Sequence, residues 1–126
     1  MRFMIIDDDR GFCKCISNII NKYHLGVIAA SCSDGLEAES LIHKCRPDIV
    51  IIDLLLPGQS GIELTKKLAV SNSQISCIMI SACSNTSIIE QAYLSGVDFY
   101  LQKPVNVLEF TTAVSTVIKS KASTGC

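Results

Sequence analysis

Five short apolar runs recur along this chain at nearly even spacing, and they constrain its fold more than any other feature. Their first residues are 3, 27, 49, 77 and 99, so the intervals are 24, 22, 28 and 22 residues. Each interval is long enough for one strand, one helix and two loops. The runs are continuous rather than alternating, which is typical of strands that helices cover on both faces of a parallel sheet. The pattern therefore predicts five βα units.

Amphipathic segments follow the runs and predict five helices. Right-handed crossovers leave few arrangements of five such units, and the commonest has the strand order 2-1-3-4-5. The predicted fold class is therefore α/β, with a five-stranded parallel sheet in a flavodoxin-like (βα)5 three-layer sandwich. Polar residues that suit a helix N-cap precede the helical segments: Asp9, Asp34, Ser60, either Ser84 or Asn85, and Asn106.

The length of 126 residues corresponds to one ordinary domain. We expect the last helix to end near Lys119. Residues 1–120 would then form one domain, and residues 121–126, which are mostly small and polar, would form a flexible tail or the beginning of a linker.

Charge, hydropathy and cysteine usage exclude several functional classes. Eleven Lys and Arg residues against twelve Asp and Glu residues give a net charge of −1, so no overall basic field indicates direct binding to nucleic acid or a membrane. No apolar run approaches a membrane span or a signal-peptide core, and we expect a cytoplasmic protein. The seven cysteines are odd in number and include no CxxC pair, so we interpret them as small reduced hydrophobic residues.

Polar residues that carry chemistry follow four of the five runs. Asp7 and Asp8 follow the first run, Asp53 the third, Ser81 the fourth, and Lys103 comes two residues after the fifth. In the order 2-1-3-4-5 these four strands lie side by side, so their carboxyl ends should bring all five residues to one pocket. Carboxylates can hold a hard divalent cation, and an ammonium can neutralise a bound anion. The set predicts a site that handles a phosphoryl group.

Five short motifs occur in a fixed order along the chain, and each is weakly specific alone. In this order and spacing the chain resembles the receiver domain of a two-component response regulator over nearly its whole length. The motifs are Asp7-Asp8, Asp53 with Pro57 and Gly61 at four and eight residues beyond it, Ser81-Ala82, the segment from Gly96 to Leu101, and Lys103-Pro104.

The resemblance implies that Asp53 is the phosphoacceptor for a sensor histidine kinase or a phosphotransfer protein, with Mg²⁺ as cofactor. Asp8, Asp53 and the backbone carbonyl of Leu55 would ligate the ion directly, and Asp7 would act mostly through bound water. Asp9 suits the cap of the first helix better than the metal site.

The resemblance also implies a switch. Lys103 would pair with Asp53 before phosphorylation and with a phosphoryl oxygen after it, and its peptide bond to Pro104 would be cis. The Ser81 hydroxyl would donate to the phosphoryl group, and Tyr100 would change rotamer as that hydroxyl moves inward. The face formed by helix 4, strand 5 and helix 5 would then control an output domain or a target protein, with transcription as one such output. A homodimer that forms on phosphorylation is left open.

Such a domain accepts a phosphoryl group and promotes its own dephosphorylation, so we expect no turnover enzyme. One alternative is a haloacid-dehalogenase-type phosphatase, whose Asp-x-Asp after the first strand would be met by Asp7 and Asp9. Those enzymes need Thr or Val two residues after the second Asp, where this chain has Gly11, and the chain leaves no room for a cap domain. A pseudo-receiver, a binding module of the same fold, would lack a site residue, and none is missing.

Overall fold

Strands and helices alternate along the chain in the computed structural model, which describes residues 1–71 and 74–124. Within these residues there are five strands and five helices, and each predicted apolar run lies within one strand. Their bounds are β1 Arg2–Ile6, α1 Arg10–Lys22, β2 Val27–Cys32, α2 Gly35–Cys45, β3 Ile49–Ile52, α3 Gly61–Ser71, β4 Ser76–Ser81, α4 Thr86–Ser95, β5 Phe99–Gln102 and α5 Val107–Thr124.

The five strands form one parallel sheet in the order β2-β1-β3-β4-β5, which confirms the predicted fold class. Ile6 at the end of β1 pairs with Ile52 at the end of β3, and Ser81 at the end of β4 pairs with Gln102 at the end of β5. The N–H of Asp53 donates to the Ile6 carbonyl at 3.0 Å and so continues the ladder beyond β3. The residues that follow these strands therefore lie along one edge of the sheet.

Helices cover both faces of the sheet. Successive side chains of a strand point to opposite faces, and the strands carry apolar side chains on both. Phe3 and Ile5 of β1 pack in one core cluster with α1 and α5, and Met4 and Ile6 pack in a second cluster with α2, α3 and α4. All four side chains are fully buried. Burial of a large apolar side chain contributes about 1.5–3 kcal/mol, so the three layers are held mainly by these two clusters.

Polar side chains at the carboxyl edge begin the helices, as the sequence predicts, and a cap of this kind stabilises by about 1 kcal/mol. Of the two candidates for α4, Asn85 is the N-cap. The capping oxygens accept from backbone N–H groups two or three residues later: Asp9 from Phe12 at 3.0 Å, Asp34 from Leu36 at 2.7 Å, Ser60 from Glu63 at 3.1 Å, Asn85 from Ile88 at 3.1 Å and Asn106 from Glu109 at 3.0 Å.

The last helix is longer than expected. The predicted end near Lys119 is wrong, because α5 continues to Thr124, and residues 121–124 of the predicted tail are helical. Residues 107–124 include no Gly or Pro that would end the helix. The Lys121 ammonium also donates to the Gln74 carbonyl. Residues 125 and 126 lie outside the described residues. Neither α5 nor another helix of the described part is long and apolar enough to cross a membrane.

Candidate functional site

Asp53 lies directly after β3 and is 8% exposed. Its Oδ1 accepts from the Leu55 N–H at 3.3 Å. The chain then turns back against this strand end, since the Gly61 N–H donates to the Leu54 carbonyl at 2.8 Å. A Cβ at Gly61 would lie 2.2 Å from the Asp53 carbonyl oxygen, closer than real Cβ atoms come. Glycine at this position therefore lets α3 begin against the residue that carries the carboxylate.

Three carboxylates meet at the ends of β1 and β3. Asp7, Asp8 and Asp53 each offer an oxygen, and these oxygens lie within 4.8 Å of one another. Asp7 is buried, with its Oδ1 accepting from the Asp9 N–H at 2.9 Å, whereas Asp8 is exposed. Clustered carboxylate oxygens are the ligands of a hard divalent cation, so the donor set fits Mg²⁺.

Lys103 reaches this cluster from the loop after β5. Its Nζ lies 2.9 Å from Asp7 Oδ2 and 3.2 Å from Asp53 Oδ2, and its side chain is 19% exposed. Its backbone N–H donates to the Ser81 carbonyl at 2.9 Å, and the peptide bond to Pro104 is cis. The loop is thus anchored to β4, and the ammonium bridges carboxylates from two strands.

The charges of this group influence one another. Burial raises the pKa of the Asp7 carboxyl above its ordinary value, although the Asp9 N–H and the Lys103 ammonium act in the opposite direction. Burial alone would lower the pKa of Lys103, but its hydrogen bonds to Asp7 and Asp53 outweigh that effect and raise it. Lys103 therefore keeps its charge throughout the neutral range.

Ser81 and Tyr100 are joined through the loop after β4. The Ser81 hydroxyl accepts from the Cys83 N–H at 3.4 Å, and the Tyr100 hydroxyl donates to the Cys83 carbonyl at 2.6 Å. Burial is the main cause that raises the pKa of the Tyr100 hydroxyl. On the other side of this tyrosine, its backbone N–H donates to the Tyr93 hydroxyl of α4 at 3.0 Å. The loop after β4, the strand β5 and the helix α4 are therefore connected at one residue.

The structure brings Asp7, Asp8, Asp53 and Lys103 together at one end of the sheet and places Ser81 beside them on the next strand. Leu55 is also at this edge, with its side chain 70% exposed. Ligation of a metal by its carbonyl stays a prediction.

Sequence reasoning missed three contacts. It assigned Lys103 to Asp53 alone, although Asp7 is the nearer partner, since strand order does not fix which carboxylate an ammonium reaches. It gave Phe12 no role at the site, whereas the ring centroid lies 4.3 Å from Lys103 Nζ. An aromatic residue in the first turn after the acidic pair was the available signal. The Tyr93 contact had no signal in the sequence.

Comparison with known proteins agrees with this arrangement. The family model of the response regulator receiver domain matches residues 3–115. The transcriptional regulatory protein GlnL of Bacillus subtilis is 34% identical over 118 residues, which are 93% of this chain and 37% of that protein. Sporulation initiation phosphotransferase F of B. subtilis is 28% identical over 122 residues, 97% of each chain.

Solved structures agree on the fold. The CheY-like response regulator receiver domain protein of Methanospirillum hungatei has a TM-score of 0.87 at 20% identity, over 97% of this chain and 96% of that chain. The chain spans 37% of the length of GlnL, so it corresponds to one part of that relative. The matched residues include the acidic pair, the aspartate after β3 and the lysine after β5. The chain therefore belongs to the response regulator receiver domain family of two-component systems.

Proposed function

We propose that this receiver domain accepts a phosphoryl group on Asp53 from a sensor histidine kinase or a phosphotransfer protein, in a reaction that requires Mg²⁺. The observation that carries the proposal is the contact of Lys103 Nζ with Asp7 at 2.9 Å and with Asp53 at 3.2 Å. The ammonium stands between carboxylates from adjacent strands, where it can neutralise an anion that binds at the same edge.

The acidic cluster supplies the metal ligands in this proposal. Asp8, Asp53 and the backbone carbonyl of Leu55 would hold Mg²⁺ directly, and Asp7 would act mostly through bound water. When bound, the ion neutralises charge on the phosphoryl oxygens.

Transfer makes one bond and breaks another. An oxygen of the Asp53 carboxylate bonds to phosphorus, while the bond from phosphorus to the donor nitrogen breaks and its electron pair stays on that nitrogen. The Leu55 N–H, 3.3 Å from Asp53 Oδ1, orients the carboxylate. Lys103 then exchanges its contact with Asp53 for a contact with a phosphoryl oxygen, and the Ser81 hydroxyl donates to another.

The switch follows from the charge that the phosphoryl group adds, about −1.5 to −2 units at neutral pH. To reach it, the Ser81 hydroxyl gives up its hydrogen bond with the Cys83 N–H, and the loop that also binds the Tyr100 hydroxyl rearranges. Moving an equilibrium from 1:99 to 99:1 requires about 5.5 kcal/mol. Two new charge-assisted hydrogen bonds of about 1.5–3 kcal/mol each supply that order of magnitude.

The output face in this proposal comprises α4, β5 and α5, which flank the rearranged loop. We assign its target to an output domain or a separate protein in the cytoplasm, with transcription as one controlled process, in keeping with the similarity to a transcriptional regulatory protein. The domain promotes loss of its own phosphoryl group and has no other turnover. Phosphorylation-dependent pairing of two copies belongs to the same proposal.

Covalent labelling with acetyl phosphate tests this function. We expect one phosphoryl group per chain, located on Asp53 by mass spectrometry, and no labelling when Mg²⁺ is chelated. Release of phosphate over many turnovers without a stable adduct would instead indicate a phosphatase, and the absence of both would indicate a pseudo-receiver.

Magnesium titration of Asp8→Ala tests the ligand assignment. Asp8 contributes one oxygen of the cluster, so we expect at least about a tenfold loss of Mg²⁺ affinity. Asp9→Ala is the matched control, since Asp9 caps α1 and should change stability while leaving metal affinity close to that of the parent. Unchanged affinity in Asp8→Ala would contradict the assignment.

A further inference from the structure

The Lys103 ammonium has an aromatic neighbour as well as its two carboxylate partners. Two of its contacts are with Asp7 at 2.9 Å and Asp53 at 3.2 Å. The centroid of the Phe12 ring lies 4.3 Å from the same nitrogen, inside the limit of about 6 Å for a cation–π interaction. The two carboxylates and the ring together restrict the position of the Lys103 ammonium, which a flexible side chain would otherwise leave variable.

The ring is held independently of the lysine. Phe12 lies in the first turn of α1, where its N–H donates to the Asp9 cap at 3.0 Å. Its side chain is partly buried and packs against the core cluster between the sheet, α1 and α5. The backbone and the ring are thus fixed by the fold, so the ring can act as a wall against which Lys103 is positioned.

We infer that Phe12 is a positioning residue for the proposed phosphoryl transfer and acts through Lys103. During transfer the ammonium must leave Asp53 Oδ2 for a phosphoryl oxygen. A ring face attracts the positive charge without fixing the direction of its N–H groups, so it guides this exchange and does not compete for hydrogen bonds. An aliphatic side chain of similar volume would fill the space without that attraction. This inference rests on the proposed function.

Three variants distinguish the attraction of the Phe12 ring for the ammonium from the volume that its side chain fills. In Phe12→Leu we expect the rate of Asp53 labelling by acetyl phosphate at saturating Mg²⁺ to fall about threefold to tenfold. Phe12→Tyr keeps the ring face and should restore a rate within about twofold of the parent. Phe99→Leu is the control, because Phe99 packs against the same core cluster at the opposite end of β5. Its labelling rate should equal that of the parent.

A double-mutant cycle tests whether Phe12 changes the labelling rate by acting on Lys103. In a Lys103→Met background, Phe12→Leu should cause no further loss of labelling rate. The small donor makes this comparison independent of any contact between α1 and a kinase. A loss in the Lys103→Met background equal to that in the parent, or equal losses in Phe12→Leu and Phe12→Tyr, would overturn the inference.

Nuclear magnetic resonance of the unphosphorylated protein supplies a second readout. Protons on the Lys103 Cε should be shifted upfield by the ring current of Phe12, and this shift should vanish in Phe12→Leu and persist in Phe12→Tyr. If the parent is labelled but its Lys103 protons are unshifted, the inference is wrong and the proposed function stands. If the parent is never labelled on Asp53, both fail.

Discussion

Aspartates stand at both ends of the sheet, but those at the amino end complete the backbone ladder while those at the carboxyl end crowd around one ammonium. Asp48 precedes β3, and its N–H donates to the Arg2 carbonyl at 2.8 Å while its Oδ2 accepts from the Arg2 N–H at 2.8 Å. Asp98 precedes β5 and forms the same reciprocal pair with Cys77, at 2.8 and 2.9 Å. Each carboxylate there serves one neighbouring strand.

The carboxyl end has the opposite character. Asp7 and Asp53 share the Lys103 ammonium, and the Asp8 carboxylate lies within 4.8 Å of both. Like charges at this distance repel one another, and burial adds to the cost for Asp7. An aspartate at a strand end of this sheet is therefore structural where a backbone N–H from the next strand satisfies it, and is a candidate for chemistry where other carboxylates surround it.

The largest expected effect comes from removing the Asp53 carboxylate at the carboxyl end. Asp53→Asn removes the nucleophilic carboxylate, so labelling by acetyl phosphate should be abolished. Asp48→Asn is the matched variant at the amino end, and it should be labelled at the rate of the parent because its amide oxygen can still accept from Arg2. Mass spectrometry of both proteins after one incubation decides the matter. Labelling of Asp53→Asn, or its loss in Asp48→Asn, would contradict the division between the two ends.

A second prediction concerns what the carboxyl end lacks. Leu55 is 70% exposed and Cys83 is partly buried, and neither side chain can orient a water for attack on a phosphoryl group at Asp53. Replacing Leu55 by Asn together with Cys83 by Glu should accelerate dephosphorylation about tenfold, which is about 1.4 kcal/mol of barrier.

The control for this double variant is Leu36→Asn, because Leu36 is another exposed leucine, 63% exposed, in the first turn of α2. Phosphate release should be followed after the donor is removed. Equal release rates in the double variant and the parent would show that water access does not limit the lifetime.

A third prediction tests the amino end. Asp98→Ala removes the acceptor for the Cys77 N–H and should lower the free energy of unfolding by about 1–2 kcal/mol. Asp53 lies at the other end of the sheet, so the labelling rate of the folded protein should not change. Urea unfolding gives the first quantity and acetyl phosphate labelling the second. A stable Asp98→Ala protein that labels slowly would reverse the assignment of this aspartate.

The smallest expected effect has the opposite sign. Because burial raises the pKa of Asp7, the folded state binds a proton there more readily than the unfolded state, and the charged form opposes folding. Asp7→Asn should therefore raise Tm by about 2 °C at neutral pH without divalent cations. The gain should shrink as pH falls through the raised pKa and disappear below the ordinary value of 3.8. Thermal unfolding of Asp7→Asn and the parent should be compared across pH. A lower Tm for Asp7→Asn at neutral pH would mean that Asp7, like Asp98, stabilises the fold, and would contradict the prediction.

The sequence predicted the fold because the same information is repeated at several levels. Apolar runs, their spacing and the capping residues all specify one strand order, and the carboxyl ends of that order determine which polar residues meet. The end of α5 was not predictable from composition, since Lys121 and Ala122 favour a helix whereas the serines and threonine beside them favour it less. The Lys121 contact with Gln74 also comes from a distant part of the chain.

The site was predictable as a set of residues but not as a set of contacts. Asp7, Asp53 and Lys103 could be placed at one edge from strand order alone. Which oxygen the ammonium contacts, and that Phe12 lies against it, depend on side-chain directions that no sequence periodicity encodes. The reciprocal pairs at the amino end depend likewise on a carboxylate reaching across to the next strand.

The hydrogen bond between Tyr93 and Tyr100 affects how readily the edge strand β5 can pair with a strand of another molecule. The Lys103 N–H donates to β4 at Ser81, and N–H groups alternate in direction along a strand, so the Tyr100 N–H points away from β4 at the open edge. An outward N–H on an edge strand is a template for pairing with another molecule's strand. The Tyr93 hydroxyl already occupies this donor at 3.0 Å. One phenol thus removes a donor that edge-to-edge pairing with another molecule would use.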